Sequence, residues 1–193
     1  MIQEHHHFIL YKPDGYLSQF VNNQTKRSNK KLLGELASFP KETMAIGRLD
    51  EYSEGLLLLT TDGKKSEYIR SRKVEKEYYA QVDGLITKEA IVKLKNGVEI
   101  GFEGATYLTK ECTAFLLNKI PEIPERRKKI RDERHGPTSW ISITLTEGKF
   151  RQVRKMTSAV GFPTLRLVRV RIGNIYLNTM KPTDVIEVSE FDV

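Results

Sequence analysis

The sequence is poorest in cysteine and in long apolar runs, and both shortages exclude classes of protein. Cys112 is the only cysteine among 193 residues, so an intrachain disulfide is impossible and a reducing compartment is expected. No apolar run approaches the roughly 20 residues that a transmembrane helix needs, and no secretory signal precedes the first apolar segment. These absences predict a soluble, cytoplasmic protein that does not bind membranes.

Metal-binding residues are scarce as well. His5, His6 and His7 are adjacent, and in an extended segment their side chains alternate between faces, so they cannot converge on one ion. Beyond them only His135 and Cys112 remain, which is too few for a structural zinc site. The Gly-x-x-x-x-Gly-Lys-Ser/Thr pattern of P-loop nucleotide enzymes is also absent. We therefore expect no metal and no nucleotide cofactor.

Positive charge is in excess. The formal net charge of +7 and the pI near 9.4 favour a polyanionic partner, whether the protein is catalytic or only binds nucleic acid. Much of this charge lies between about residues 120 and 137, where two prolines precede Arg126, Arg127, Lys128 and Lys129. The segment has few apolar residues, which predicts a mobile basic loop, although solvated charge runs of this kind are common without any binding role.

The most informative stretch runs from Gly47 to Gly63. Arg48 and Asp50 lie on a short polar segment, and Gly55 followed by four leucines comes directly after it. Four consecutive leucines predict a buried strand, so Asp50 is expected on a loop that rigid core anchors. An ordinary surface turn with an Arg–Asp pair is the alternative that this stretch alone leaves open.

A second informative stretch runs from Glu147 to Pro163 and has helical periodicity. Its apolar and basic residues separate onto two faces, with Phe150, Val153, Met156 and Val160 on one and Arg151, Arg154 and Lys155 on the other. Gly161 and Pro163 predict the end of the helix. A plain amphipathic surface helix gives the same pattern, but a purely cationic polar face favours a polyanionic partner.

Other segments predict a chain in which strands and helices alternate irregularly. The predicted strands are 8–12, 56–60, 78–82, two or more antiparallel strands within 100–117, and 140–145, and the predicted helices are a short one capped by Ser28, 64–72, and one that Thr87 caps and Gly97 ends. The turn signals are Asp14-Gly15 and Asp62-Gly63.

One predicted strand, 164–172, has an irregular apolar phase. Its apolar alternation slips by one residue at Leu167-Val168. We expect a β-bulge there that keeps one face buried and turns the arginines outward. A strand buried on both faces at its centre is the alternative.

The motifs, taken in order, resemble the RsuA-type pseudouridine synthases, which modify ribosomal RNA. The family pattern is an Arg-Leu-Asp loop followed by Gly-Leu-Leu-Leu-Leu-Thr, a Lys-x-Tyr strand and an Arg-Gln-Val-Arg helix, matched here at 48–60, 76–78 and 151–154. Segments 8–13, 17–20 and 136–140 look like the large-subunit rRNA pseudouridine synthase E subgroup. The matches extend from about residue 8 to residue 173.

The resemblance assigns roles to individual residues. It implies that Asp50 is the nucleophile, that Arg154 pairs with it, and that Tyr78 stacks on the uracil and handles a proton at C5. Tyr79 faces the other side of its strand and is expected to be the core tyrosine of the pair. The expected RNA-binding residues are all basic: Arg48, Lys76, Arg126, Arg127, Lys128, Lys129, Arg151 and Lys155.

The resemblance also implies the fold and the partner. We expect an α+β fold, with a mixed, mostly antiparallel central sheet, flanking helices and a central active cleft where Asp50, Tyr78 and Arg154 meet. Residues 1–193 are expected to form one catalytic domain and a monomer, without the N-terminal S4 domain of many relatives. The expected partner is ribosomal RNA or an assembling ribosomal subunit, and the alternative is a non-catalytic rRNA-binding or assembly factor on the same scaffold.

Two residues depart from the family pattern. Phe150 stands where Asn is usual, which could alter packing around Arg154, and Ser53 stands where Thr is common. Neither change removes a reacting group.

Overall fold

A computed structural model describes residues 5–21, 29–71, 74–126, 129–131 and 133–193. The strands and helices in this part of the chain are β1 (His7–Lys12), β2 (Met44–Ile46), β3 (Glu54–Thr60), α1 (Gly63–Ser71), β4 (Lys76–Asp83), α2 (Lys88–Asn96), β5 (Glu99–Phe102), β6 (Ala105–Leu108), β7 (Thr113–Leu116), β8 (Thr138–Leu145), α3 (Gln152–Ala159), β9 (Thr164–Ile172), β10 (Ile175–Tyr176) and β11 (Val185–Val188). Short 3-10 turns lie at Leu33–Glu35 and Glu133–His135. The predicted cap residue Ser28 lies outside the described residues. No helix within the described ranges is both long enough and apolar enough to cross a lipid bilayer.

The chain divides into two compact units. The first contains residues 1–74 and 169–193, and the second contains residues 75–168. The residues of β9 up to Val168 therefore belong to the second unit, and its remaining residues belong to the first.

The first unit is built on a buried antiparallel sheet. β1 pairs antiparallel with both β3 and β11, and β2 pairs antiparallel with β3. All seven residues of β3 are buried, which is why this strand reads as a continuous apolar run rather than an alternating one. Leu57 and Leu59 pack with Phe8, Leu10 and Leu33, and the strand predicted from the four leucines is confirmed.

The Asp62-Gly63 signal marks the start of a helix. The Asp62 carboxylate accepts hydrogen bonds from the backbone N–H groups of Lys64 and Lys65, at 2.8 and 3.1 Å. These are donors that the first turn of a helix otherwise leaves without partners. α1 therefore begins at Gly63 and matches the predicted helix over residues 64–71.

The second unit places two helices on one face of its sheet. β8 pairs antiparallel with β4 and with β7, and β5 pairs with β6 in a separate hairpin. Thr87 caps α2 through its hydroxyl, which accepts from the backbone N–H of Ala90 at 3.2 Å, and Gly97 ends the helix at a φ of 91°, as the sequence predicts. The core of this unit joins β4, β8, α2 and α3 through Ala80, Val82, Ala90, Leu94, Ile141, Ile143, Val153, Met156 and Leu167.

β9 corrects one expectation. Five consecutive residues, from Arg166 to Val170, are buried, which is the pattern of a strand covered on both faces. Arg166 and Arg169 are only 7% and 3% exposed, so the expectation that the arginines of this strand turn outward is wrong for both. Each guanidinium group donates to a carbonyl oxygen inside the protein.

Helices and antiparallel strand pairs thus occur together in both units. The predicted α+β class with a mostly antiparallel sheet and flanking helices is confirmed.

Candidate active site

The Asp50 segment is fixed at both ends by hydrogen bonds within the first unit. The Ser18 hydroxyl donates to the carbonyl oxygen of Leu49 at 2.8 Å and accepts from its backbone N–H at 2.9 Å. On the other side, the backbone N–H of Ser53 donates to the carbonyl oxygen of Asp50 at 3.0 Å. Leu49 is buried, Asp50 is half-buried and Arg48 is exposed. The backbone of Asp50 is therefore held in place while its side chain keeps access to solvent.

A buried lysine lies beneath this segment. The Lys12 ammonium is fully buried and donates to the carbonyl oxygens of Pro13, Tyr16 and Glu51, at 2.9, 2.7 and 3.1 Å. Three donors meet three acceptors, so one cation ties the end of β1 to the residue that follows Asp50. Burial lowers the pKa of Lys12 to about 7, although the nearby carboxylates, above all Glu54, act in the opposite direction.

Sequence reasoning missed Lys12 as a functional candidate. The sequence does contain a signal that could have identified Lys12: it is a lysine at the end of an apolar strand, directly before Pro13. A charged side chain in such a position is fully buried only when partners surround it.

Gly55 is required by a close backbone approach. A Cβ atom there would lie 2.2 Å from the carbonyl oxygen of Arg169, and the φ of Gly55 is +99°. Arg169 also donates from Nε to the carbonyl oxygen of Leu56 at 2.7 Å. The glycine that follows the Asp50 segment is therefore explained by sterics, since any side chain would push β3 and Arg169 apart.

In the second unit, β4 carries the tyrosine pair. Tyr78 shares its side of the strand with Ala80 and Val82 and packs against the core of this unit. Tyr79 is on the opposite side and is also half-buried; burial, then the charge of Glu77, raises its pKa. The expectation that Tyr79 rather than Tyr78 is the core tyrosine is wrong, because it ignored the helices that cover the Tyr78 side.

The structure shortens the predicted basic helix at its start. α3 begins at Gln152, and Arg151 precedes it in the left-handed region with a φ of 54°. Phe150 lies before the helix and is 68% exposed, so its predicted place on the apolar face is wrong. Val153 and Met156 do face the core as predicted.

Basic side chains surround this end of α3. Arg154 donates to the carbonyl oxygen of Thr164 at 3.3 Å, and Lys155 donates to that of Gly101 at 2.6 Å. The Lys155 ammonium also lies 5.4 Å from the centre of the Phe150 ring. Arg151 is exposed, while Arg154 and Lys155 are half-buried.

Glu147 fixes the approach to α3. Its carboxylate accepts from the Gln152 side chain and from the Tyr107 hydroxyl, both at 2.6 Å, and from the backbone N–H of Lys110 at 3.0 Å. Burial alone would raise the pKa of Glu147, but these hydrogen bonds lower it overall. The Glu147 carboxylate therefore holds the Gln152 side chain and so orients the first turn of the helix.

We expect Phe150→Asn to leave stability almost unchanged. The exposed ring lies before the helix and its cation–π partner is the Lys155 ammonium, so the free energy of unfolding should change by no more than about 1 kcal/mol. Urea denaturation checks this, with Val153→Asn in the core as the contrasting variant, which should lose several times more. A large loss in the Phe150 variant would mean that the ring supports Arg154 after all.

The basic segment is attached to the second unit rather than separate from it. Arg131 forms an ion pair with Asp83 and donates to the carbonyl oxygen of Pro137 at 3.3 Å. Arg166 donates to the carbonyl oxygen of Pro124 at 2.7 Å. Arg126 is half-buried and Lys129 is exposed, whereas Arg127 and Lys128 lie outside the described residues.

The histidines near the start of the chain have protein partners. His7 is buried and hydrogen-bonds Thr60 Oγ1 at 2.8 Å, and burial, helped by the charge of Lys65, lowers its pKa. His6 contacts the Glu187 carboxylate at 2.6 Å. Both side chains take part in the packing of the first unit.

The candidate residues are thus divided between the units. Asp50 and Arg48 belong to the first, and Tyr78, Lys76, Arg151, Arg154 and Lys155 belong to the second. Each set has a defined local geometry. That the sets meet in one cleft stays a prediction from the family resemblance.

Comparison with known proteins gives a consistent result. The RNA pseudouridylate synthase family matches residues 6–159. The ribosomal large subunit pseudouridine synthase E of Xanthomonas axonopodis pv. citri (strain 306) is 39% identical over 176 residues, which cover 90% of this chain and 89% of that protein. The protein of the same name from Vibrio parahaemolyticus serotype O3:K6 (strain RIMD 2210633) is 39% identical over 178 residues, 90% of this chain and 70% of that one. A solved structure described as a pseudouridylate synthase has a TM-score of 0.75 at 23% identity, covers 97% of this chain and 71% of its own, and shows the shared fold.

Proposed function

The chain belongs to the RNA pseudouridylate synthase family, and we propose that it isomerises a specific uridine of large-subunit ribosomal RNA to pseudouridine. The observation that supports this most is the Asp50 segment. Its carboxylate lies on a backbone held by Ser18 and by the buried Lys12, and a protein that only binds RNA has no use for a carboxylate fixed in this way. The relatives named synthase E align with about nine-tenths of the chain, which supports the large-subunit RNA as substrate.

The reaction exchanges one bond for another without a change in oxidation state. The bond between uracil N1 and ribose C1′ breaks, the base rotates, and a bond forms between C5 and C1′, while C5 loses a proton and N1 gains one. Nothing in this balance calls for a redox cofactor. The uridine must leave its stack to react, which costs a few kcal/mol.

Asp50 is the proposed reacting group. Its carboxylate either attacks C1′, which divides one difficult step into two, or removes a proton from the sugar. Both routes need the ionised form. Arg154 is the proposed partner that orients this carboxylate through its planar, always charged guanidinium. Tyr78 is proposed to stack on the uracil and to move the C5 proton through its hydroxyl.

The proposed RNA contacts lie on both units. Arg48, Lys76, Arg151 and Lys155, together with Arg126, Arg127, Lys128 and Lys129, supply cations for phosphates. Contacts of this kind can offset the unstacking cost. The proposed substrate is ribosomal RNA, free or in an assembling subunit, and we propose that the enzyme acts in the cytoplasm and as a monomer.

Conversion of RNA in vitro tests this function. Purified protein is incubated with transcribed large-subunit rRNA, and the nucleosides are then separated after complete digestion. We expect about one pseudouridine per transcript. RNA binding without any pseudouridine, on free transcript and on subunits isolated from cells that lack the gene, would favour the non-catalytic assembly factor.

Substitution of the two tyrosines separates their roles. Tyr78→Phe keeps the ring and its packing against the core of the second unit but removes the hydroxyl, so we expect turnover to fall by about 100-fold or more while RNA affinity changes little. Tyr79→Phe is the matched control on the other side of β4, and its turnover should fall far less. Single-turnover rates and binding constants measure both. Equal rate losses would remove the proton-transfer role from Tyr78.

A further inference from the structure

A basic cleft lies in the second unit between the sheet and the basic segment. Its volume is about 600 Å³, which is within the roughly 300–1,000 Å³ range of small-ligand sites. Arg126, Lys129, Arg131 and Arg166 line it together with one carboxylate, Glu125. Arg131 is paired with Asp83, so three further cations face one carboxylate, and the cleft favours an anionic occupant.

The walls of this cleft are held in place by hydrogen bonds. Arg166 is 7% exposed and donates to Pro124 O, which fixes the start of the basic segment over β9. Arg131 pairs with Asp83 and donates to Pro137 O, which fixes its end. A site with pre-formed walls loses less entropy on binding than a flexible charged loop does.

The floor of the cleft carries groups that can read a base. Gln81 and Thr138 line it, and the Gln81 amide donates to Thr138 Oγ1 at 3.1 Å. The amide also has a carbonyl oxygen and a second N–H, so it can accept from and donate to a base edge. Guanidinium planes provide stacking surfaces for unstacked bases in RNA-binding proteins. Phosphate, base-edge and stacking chemistry are therefore combined in one cleft.

The cleft is on the opposite side of the sheet from the proposed catalytic tyrosine. Along β4, Tyr78 shares its side with Ala80 and Val82, which face the core and its helices. Gln81 alternates with them and so faces the other way. In the same manner Arg166 alternates with Leu167, which belongs to that core. The cleft therefore cannot hold the uracil that Tyr78 contacts.

We propose that this cleft binds one unstacked nucleotide of the RNA, with its phosphate, at a position other than the isomerised uridine. The proposal rests on the proposed function, because it takes RNA as the substrate. An RNA strand that occupies both sides of the sheet is recognised by more than its reacting residue. The cleft thus contributes to the choice of target site.

Nuclear magnetic resonance of the full chain tests the proposal. The signals of the Gln81 side-chain amide and the Thr138 backbone amide are followed during titration with a single-stranded pentauridine oligonucleotide and, separately, with free uridine monophosphate. Both signals should shift saturably with the oligonucleotide. No shift with the oligonucleotide, or a shift with the monophosphate alone, would overturn the assignment to RNA.

A matched pair of lysine variants completes the test. Lys129 and Lys119 are both exposed and belong to the same stretch of chain, but only Lys129 lines the cleft. Lys129→Gln should weaken the Gln81 response several-fold and reduce the salt slope of binding by about 0.7. Lys119→Gln should leave the Gln81 response unchanged, and equal effects would mean diffuse attraction rather than a site.

The proposal and the proposed function fail separately. A protein that forms pseudouridine but shows no Gln81 response retains the function and loses the cleft. A protein that shows the response but forms no pseudouridine retains an RNA-binding cleft and loses the function.

Discussion

Asp50→Asn is expected to abolish pseudouridine formation while RNA affinity stays within a few-fold of the native value. The amide keeps the shape of the side chain but cannot act as a nucleophile or a base. The Asp50 backbone accepts from Ser53, and its neighbour Leu49 is held by Ser18, so these backbone contacts of the segment remain in the variant. Single-turnover conversion and equilibrium binding measure the two effects.

Glu51→Gln is the matched control for this variant. It removes the same charge one residue later, where the carboxylate forms an ion pair with Lys30 at 2.6 Å. Both side chains of that pair are mostly buried, so its loss should reduce stability measurably but removes no reacting group. Conversion by the Glu51 variant should stay within about 10-fold of the native rate. An Asp50→Asn enzyme that still forms product would remove Asp50 from the mechanism.

Lys12→Met is expected to cause a large loss of both stability and turnover. The apolar side chain removes the Lys12 donor from the carbonyl oxygens of Pro13, Tyr16 and Glu51. The Glu51 carbonyl oxygen keeps its hydrogen bond from the backbone N–H of Gly15, and each buried acceptor that is left without a partner costs about 1–3 kcal/mol. Because Glu51 follows Asp50, the reactive segment should shift as well. Urea denaturation and single-turnover assays measure the two losses. Lys64→Met, an exposed lysine on α1, should change stability by less than about 0.5 kcal/mol.

The pH dependence of this stability difference has a defined sign. The pKa of Lys12 is about 7 in the folded protein and has its ordinary value of 10.5 in the unfolded chain. Between these values the unfolded chain binds more protons, so the free energy of unfolding rises with pH by up to about 1.4 kcal/mol per pH unit. This increase in the free energy of unfolding is complete above pH 10.5, the ordinary pKa of lysine, and it is lost as the pH falls through about 7.

The Met variant lacks this contribution, which makes it the reference. The difference in unfolding free energy between the native protein and Lys12→Met should therefore grow from pH 7 to pH 9.5. Denaturation curves at three pH values in that range give the slope. A difference that stays constant with pH would show that Lys12 remains charged throughout.

Local patterns predicted much of the fold. The four leucines of β3, the Thr87 cap and the glycine that ends α2 each gave an element close to its observed bounds. Each of these signals depends only on interactions between residues that are near one another in the sequence. The candidate residues Asp50, Tyr78 and Arg154 came from the family resemblance, because no spacing in the sequence relates them.

The errors came from contacts that the local pattern does not contain. Periodicity placed Phe150 in a helix, but the chain adopts a left-handed residue at Arg151 and the helix starts one residue later. The arginines of β9 were expected at the surface, yet Arg169 is buried because the Leu56 carbonyl oxygen accepts from it. Lys12 was overlooked for the same reason, since its three acceptors lie in loops up to 39 residues away.

The division of the chain has a consequence for its biosynthesis. β1 and β3 are made early, but β11, which pairs with β1, and Arg169, which lies against Gly55, are made after the whole second unit. A nascent chain can complete the second unit while the first still lacks these parts. The segment that carries Asp50 therefore reaches its final surroundings only after the second unit has been made, and a chain truncated before residue 169 would display that aspartate on an unfinished sheet.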